Sequence, residues 1–274
     1  MKKRIRILIH FDGMQKPVSS IQMAEYMESL ANIIMPENET FSERVEIQPN
    51  NTRTTIILSA QDAILPLRFR ERVSDSICHI SIFFNNIRNE RACLFGCIIQ
   101  SHYLATKMIA NEQTINILID ETMWEYSQNR IFSRIIELCR NTSISYVAAD
   151  KETIAPQSIY HAQLRFFSQR EAISINPETK VPGIYWTQYI STKMLSNETL
   201  NDICNLPSPA SYTKVEGKQG DGVWIQTSSR INDDTKELHK VLYSILKRDS
   251  YSLDSEKVLI YARTLPWLFE KNPF

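Results

Sequence analysis

The chain has 274 residues, of which 43% are hydrophobic and 23% are charged. This composition is typical of a globular protein and excludes a disordered or fibrous chain. Lysine plus arginine number 31, the same as aspartate plus glutamate, so the molecule lacks the net charge that would hold nucleic acid or an anionic membrane. Only six residues are glycine, which argues against a glycine-rich phosphate-binding loop.

We expect neither a membrane span nor a secretion signal. No stretch approaches the roughly 20 apolar residues of a membrane helix. The basic start Lys2, Lys3, Arg4 is followed by only a few apolar residues before His10. The five cysteines are scattered through apolar stretches, which is typical of small buried residues in a reducing compartment. These features predict a cytoplasmic protein.

The first part of the chain predicts strands and helices in alternation. Isoleucine at every second position predicts a half-buried strand over Arg4–Phe11. Ser19 and Gln22 have the spacing of a capping box, and the apolar residues that follow predict an amphipathic helix that ends before Pro36. The next predicted elements are strands over 54–59 and 77–85 and a largely apolar helix over 92–110.

The second part begins with alternating isoleucines that predict a strand over 115–119. A short segment over 120–126 follows, and Ser127 is predicted to cap the next helix. The remaining predicted elements are a strand over 144–148, a helix over 160–171, a strand over 184–190, a helix over 195–204, a hairpin of 212–216 with 223–227, and a helix capped by 232–234.

These elements alternate without the regular spacing of a doubly wound sheet, and short turns join several of the strands. The predicted fold class is therefore α+β, with mixed β-sheets packed against amphipathic helices. We expect a single domain over residues 1–274. A division into two loosely similar halves, 1–110 and 111–274, is the alternative.

One short motif matches the chemistry of a metal-dependent nuclease. Glu216 and Lys218 form an E-x-K pair at a predicted strand end, and Asp202 would supply a second carboxylate. Two carboxylates would hold a divalent ion that polarises the scissile phosphate, while the lysine would assist the attacking water. A glutamate and a lysine two residues apart are common, however, and the neighbouring glycines favour an ordinary hairpin turn.

Cys93, Cys97 and His102 lie on the predicted helix over 92–110, and their spacings of four and five place the cysteines, though not clearly the histidine, on one face for a metal. Apolar neighbours favour packed core cysteines instead. The sequence contains no nucleophile elbow, zinc-protease motif, Walker loop or dinucleotide fingerprint. We therefore predict no catalytic residue, no metal, no cofactor and no small-molecule substrate.

Acidic and aromatic residues are concentrated in residues 111–126, which contain no lysine or arginine. Asp120, Glu121 and Glu125, with Trp124 among them, would form a carboxylate surface with an aromatic anchor, which suits a basic protein partner. The alternative is an acidic loop whose aromatic residues belong to the core. Basic residues are dispersed rather than arranged in a stripe, so direct binding of nucleic acid is not predicted.

Two short motifs resemble a known bacterial family. Residues 182–186 read Pro-Gly-Ile-Tyr-Trp, and residues 220–226 read Gly-Asp-Gly-Val-Trp-Ile-Gln. Both are similar to motifs of the TsiV-type immunity proteins of type VI secretion, whose cognate effectors carry VRR-NUC nuclease domains. Immunity protein 52, a neighbouring family, shares both motifs. Residues 143–147 differ from the glycine-containing segment that is frequent in the family.

The resemblance implies a cytoplasmic antitoxin that binds one secreted nuclease and covers its DNA-binding site. It also implies that the motif glycines satisfy turns and that Trp186 and Trp224 fill a core. It identifies no inhibitory residue, so the predicted contact with the nuclease rests on the acidic segment described above. Two other interpretations are a metal-dependent nuclease that uses Glu216 and Lys218, and a scaffold protein of the secretion machinery.

Overall fold

A computed structural model describes residues 4–12, 18–34, 42–49, 56–58, 77–86, 91–98, 113–152, 181 and 184–249. The chain forms two compact units, Met1–Leu138 and Cys139–Phe274. The boundary between them lies inside a helix, whereas the sequence favours one domain, with a division near residue 110 as the alternative.

Among its described residues, the first unit contains a six-stranded antiparallel sheet. Its strands are β1 (Arg4–Phe11), β2 (Ser42–Pro49), β3 (Ile56–Leu58), β4 (Ile77–Asn86), β5 (Arg91–Ile98) and β6 (Gln113–Asp120). The order across the sheet is β3, β2, β4, β5, β6, β1, and each neighbouring pair is antiparallel. β1 and β6 are therefore neighbours although they are far apart in the chain.

The alternating isoleucines of β1 and β6 form a buried core in this unit. Ile5 lies opposite Ile119, and Ile9 lies opposite Ile115. These four side chains are at most 1% exposed. Because successive side chains of a strand point to opposite faces, the odd-numbered residues give this strand pair one apolar face, and the even-numbered residues lie on the other face.

The first helix, α1 (Ser20–Ile34), packs on the apolar face of β1. The predicted capping box is confirmed, since the Gln22 N–H donates to Ser19 Oγ (3.3 Å) and the Ser19 N–H donates to Gln22 Oε1 (3.1 Å). The Tyr26 ring stacks on the Phe11 ring, with 5.9 Å between ring centroids. Helix and strand are thereby held together by an aromatic pair as well as by aliphatic contacts.

The second helix, α2 (Glu121–Asn141), lies beside α1, since the Arg134 Nε–H donates to Ser29 Oγ (2.5 Å). It follows β6 directly, so the predicted separate segment over 120–126 is wrong. Ser127 is not a helix cap, because it lies inside the helix and its hydroxyl donates to the Met123 carbonyl oxygen (2.6 Å). The helix begins earlier because a carboxylate in its first turn is favourable at the positive end of the helix dipole.

Another prediction in the first unit is also wrong. Residues 91–98 form strand β5 and not the start of a helix over 92–110. A short apolar run is compatible with either element, and here its pairing with β4 and β6 decides for the strand. Strand β2 lacks a clear sequence signal, because charged residues interrupt its apolar pattern, and it is stabilised by pairing with β3 and β4.

The second unit contains a four-stranded antiparallel sheet among its described residues. Its strands are β7 (Ile144–Lys151), β8 (Thr187–Ser191), β9 (Ser211–Val215) and β10 (Gly222–Gln226), in the order β7, β8, β10, β9. Two helices, α3 (Asn197–Ile203) and α4 (Lys236–Leu246), pack against each other. The predicted strands, hairpin and described helices of this region are confirmed, but the N-cap of α4 is Thr235 and not one of the predicted residues 232–234. The predicted helix over 160–171 lies outside the described residues.

The hairpin of β9 and β10 meets the end of α2 within the second unit. The Lys218 N–H donates to the Arg140 carbonyl oxygen (2.8 Å), which satisfies one of the carbonyl groups left without a partner at a helix C-terminus. Asp221 orders the turn itself, because its Oδ1 accepts from the Gly217 N–H (3.1 Å). The glycine-rich turn therefore serves as a helix cap.

The α+β fold class is confirmed. The described strand pairs within each unit are antiparallel, where mixed sheets were expected. Antiparallel pairing follows from the many strands that are joined without a crossover helix.

Replacing Gly222 by alanine should destabilise the second unit. A Cβ atom at Gly222 would overlap the ring of Tyr189, which is 1% exposed and would have to shift. We expect Gly222→Ala to lower the free energy of unfolding by about 1–3 kcal/mol, measured by urea denaturation. In a Tyr189→Leu background the same change should cost less, and an equal cost in both backgrounds would contradict the close contact.

Candidate functional site

The predicted contact residues lie where strand β6 passes into helix α2. Asp120 is the last residue of β6, and Glu121 is the first residue of α2. Trp124 and Glu125 lie on the first turns of the helix. The four residues share one short stretch of chain, but the structure gives them different environments.

Asp120 belongs to the sheet. Its side chain is 8% exposed, and its Oδ1 lies 3.4 Å from Arg4 Nε. Arg4 is also the residue opposite Asp120 in the register of β1 and β6. The ion pair stabilises the end of this strand pair, and the burial of Asp120 is unfavourable for a direct contact with a partner protein.

Trp124 is a core residue and not an exposed anchor. It is 2% exposed, and its ring packs edge-to-face against Phe132 with 5.2 Å between ring centroids. The helical period explains this placement, because Trp124 falls on the same side of α2 as the buried Ile131 and Ile135. The alternative interpretation, in which the aromatic residue of the acidic segment belongs to the core, is correct for this tryptophan.

The outer face of the first turns of α2 is exposed instead. We define the α2 outer face as its exposed residues Thr122, Glu125, Tyr126, Asn129 and Arg130. The Tyr126 side chain is 77% exposed, which is unusual for a large aromatic residue. Of the predicted carboxylates, Glu125 belongs to this face and Glu121 is half-buried at the start of the helix.

Tyr126 is an aromatic residue of the acidic segment, but it was not among the predicted contact residues. The signal was present, because a helix that begins at Glu121 and buries Trp124 must turn Glu125 and Tyr126 outward. The signal was hidden by the assumption that the helix starts only at Ser127. Because the predicted helix began too late, Trp124 was predicted to be the exposed aromatic residue, whereas the structure exposes Tyr126.

The E-x-K pair belongs to the hairpin turn. Glu216 is exposed, and the Lys218 backbone caps α2 as described above. Asp202 forms an ion pair with Arg248. Within the described ranges, no three His, Cys, Asp or Glu side chains are grouped so that they could hold a metal ion. The geometry therefore gives the nuclease interpretation no support.

The structure also gives no support to the predicted metal site of Cys93, Cys97 and His102. Cys93 and Cys97 lie on strand β5, where residues four apart share a face but are about 13 Å apart along the strand, which is too far to share one metal ion. His102 lies outside the described residues. In the second unit, Cys139 is buried, and burial raises the pKa of its thiol, which is typical of an unreactive core cysteine.

The titratable groups with strongly shifted pKa values lie in the interiors of the two units. Burial lowers the pKa of His10 to about 4 and raises the pKa of Asp150 to about 6. Burial also raises the pKa of Tyr146 and of Tyr185. These four side chains are at most 8% exposed. Perturbed groups of this kind suggest an active site only when they line a cleft, and these are enclosed.

The two tryptophans of the family-like motifs are buried, as predicted, at 3% and 5% exposure for Trp186 and Trp224. The Trp186 indole N–H donates to the Ser228 carbonyl oxygen (3.1 Å), and its backbone N–H donates to Asp150 Oδ2 (2.9 Å). The Lys151 N–H donates to the other carboxylate oxygen (2.6 Å). These motif residues therefore organise the interior of the second unit.

Comparison with known proteins reveals a shared fold. The type VI secretion system protein PA0821 of Pseudomonas aeruginosa is similar in structure, with a TM-score of 0.56 and 16% sequence identity over 91% of this chain and 74% of that chain. No family model matches the sequence, and no curated protein matches it. Among the described helices, none has the length and apolar character to cross a membrane.

The buried carboxyl of Asp150 predicts a pH-dependent stability. Burial disfavours the charged carboxylate more than the two N–H donors favour it, so the folded state binds the proton more tightly than the unfolded state. The protonated Asp150 carboxyl therefore contributes most to stability below the pKa that it has in the unfolded chain. This contribution is lost as pH rises through its folded-state pKa of about 6. Relative to Asp150→Asn, we expect the unfolding free energy of the natural protein to fall by about 2 kcal/mol from about pH 4 to about pH 7.

Urea denaturation at both pH values measures this difference, since the other titratable groups cancel between the two proteins. The exposed Glu237 on α4 offers a control, and Glu237→Gln should retain the pH dependence of the natural protein. A relative stability that is constant or rises with pH would contradict a raised pKa for Asp150.

Proposed function

We propose that this chain is a type VI secretion immunity protein that binds a nuclease effector and occludes its DNA-binding site. Two independent similarities support the proposal: the fold is similar to that of a type VI secretion protein, and residues 182–186 and 220–226 resemble motifs of the TsiV-type immunity proteins. The TsiV-type assignment rests on these motifs alone. In this proposal the protein acts in the cytoplasm, where the effector would reach DNA.

The observation that carries the proposal is the α2 outer face. Tyr126 is 77% exposed and stands next to the exposed Glu125 on a regular helix. Tyrosine supplies a large contact area at a small cost in side-chain entropy, and it is frequent at the energetic centres of protein interfaces. The strongly perturbed titratable groups, by contrast, are enclosed in the cores. Binding therefore has better support than catalysis.

In this proposal each predicted residue has a distinct role. Glu125 and Glu121 would steer the approach of a basic DNA-binding cleft, because charges at the edge of an interface act mainly on the association rate. Tyr126 would be the anchor that inserts into the cleft. Asp120 and Trp124 would act indirectly, since the ion pair with Arg4 and the packing on Phe132 hold this end of α2 in place.

The α2 outer face can be tested with the nuclease effector encoded next to this gene, purified in a catalytically inactive form. We expect Tyr126→Ala to weaken binding by about 30-fold, because an anchor truncation costs about 2 kcal/mol. Glu125→Lys should slow association, with an effect that decreases at high salt. Biolayer interferometry measures both rates, and protection of cells from the active effector gives the biological readout.

Two exposed residues of the second unit provide matched controls. Tyr212→Ala on β9 and Glu237→Lys on α4 make the same kinds of change, and both should leave binding intact. Equal losses from the controls and from the α2 variants would contradict this location of the interface. Association with tube or baseplate proteins instead of an effector would contradict the immunity function.

The nuclease interpretation has an independent test. The purified protein should not cleave plasmid DNA in the presence of magnesium or manganese, because the described residues of the E-x-K region serve as a turn and a helix cap. Cleavage that is lost in Glu216→Ala would overturn the proposal of a non-enzymatic binding protein.

A further inference from the structure

Strand β9 is the outer strand of the sheet of the second unit. It pairs with β10 on one side and is the last strand in the order of the described strands. Residues 211–214 are all exposed, although they alternate between the two faces of the sheet. On β10 the residues opposite Tyr212 and Lys214 are at most 3% exposed. Among the described residues, no strand pairs with the other side of β9, so β9 is an edge strand whose residues 211–214 are exposed on both faces.

A free edge offers backbone donors and acceptors for pairing with another strand. Natural proteins usually avoid such pairing by placing lysine on the edge or by keeping the strand short. β9 has five residues and carries Lys214, so unspecific aggregation is disfavoured. Specific pairing with a complementary strand remains available, provided that Lys214 meets a favourable side chain.

The sequence of β9 is complementary to itself. When two antiparallel copies of Ser211–Val215 overlap over their full length, the centre of the pairing is Thr213, which lies opposite Thr213 of the second copy. In the same register Tyr212 lies opposite Lys214 of the second copy, and this pair occurs twice by symmetry. An ammonium group over a tyrosine ring is a favourable contact, and threonine pairs are favourable across antiparallel strands.

Shifted registers shorten the overlap between the two strands. The shift that places Lys214 opposite Lys214 of the second copy also sets two positive charges against each other. Long-range repulsion between copies is small, because the chain has 31 basic and 31 acidic residues, and a net charge near zero promotes self-association. The length of the overlap therefore favours the full-overlap register, and charge disfavours the shift that pairs the two lysines.

We propose that two copies of this protein associate through antiparallel pairing of their β9 strands, which joins two sheets of the second unit into one. The interface is a symmetric pairing, in which the same surface is used by both copies. A five-residue strand contributes less area than a stable interface requires, so the dimer forms and dissociates reversibly in the micromolar range or above.

Sedimentation velocity over protein concentrations from about 5 to about 500 µM tests the proposal, since a reversible dimer shows a concentration-dependent mass. Tyr212→Lys places lysine opposite lysine at both symmetric pairs and should weaken the dimer by about tenfold or more. The double variant Tyr212→Lys/Lys214→Asp sets opposite charges against each other and should restore dimerisation. Tyr126→Lys, which changes the other exposed tyrosine, is the matched control and should dimerise normally.

Hydrogen exchange gives a second readout, because the amides of β9 that point away from β10 should gain protection with concentration. A monomer at every concentration would overturn the proposal, and so would a dimer that is insensitive to Tyr212→Lys or is lost in Tyr126→Lys. A third outcome would also overturn the dimer proposal. If Tyr212→Lys lost effector binding but kept the same dimer mass, β9 would be a contact for the effector and not for a second copy. All measurements of mass use the protein alone, so they do not depend on the proposed immunity function.

Discussion

The antiparallel pairing of β1 with β6 is the constraint on which the first unit depends. Their isoleucines make one apolar face, and an apolar face of a sheet must be covered. α1 and α2 supply that cover, and α2 follows β6 without an intervening loop. Because Trp124 belongs to the buried side of α2, Tyr126 is forced outward. The exposed tyrosine is therefore a consequence of how the core is filled.

The second unit shows why short motifs of one chain can indicate a fold and still reveal no active site. Trp186 donates hydrogen bonds to Asp150 and Ser228, while the glycine-rich turn caps the end of α2. Each contact satisfies a buried polar group or fills space in the interior. Residues with such roles are determined by the architecture, and proteins of different function can share them.

The strongly shifted titratable groups among the described residues are enclosed. Burial changes the pKa values of His10 and Asp150, and both side chains are at most 3% exposed. The described surface includes an exposed aromatic residue on a helix, Tyr126, and an edge strand, β9. Proteins commonly bind other proteins through a side-chain anchor and through main-chain pairing. These two features underlie the proposed binding functions.

Local sequence patterns predicted the secondary structure correctly where residues close in the chain determine it. The β1 strand, the Ser19 capping box and the β9–β10 hairpin were predictable, because alternation, capping and turn formation involve residues close in the chain. Contacts between distant residues decided the rest. The apolar run at residues 91–98 became a strand because β4 and β6 pair with it, and charged β2 was stabilised by β4. The start of α2 at Glu121 likewise depended on where the pairing of β6 with β1 ends, and that start decided that Tyr126 and not Trp124 is exposed.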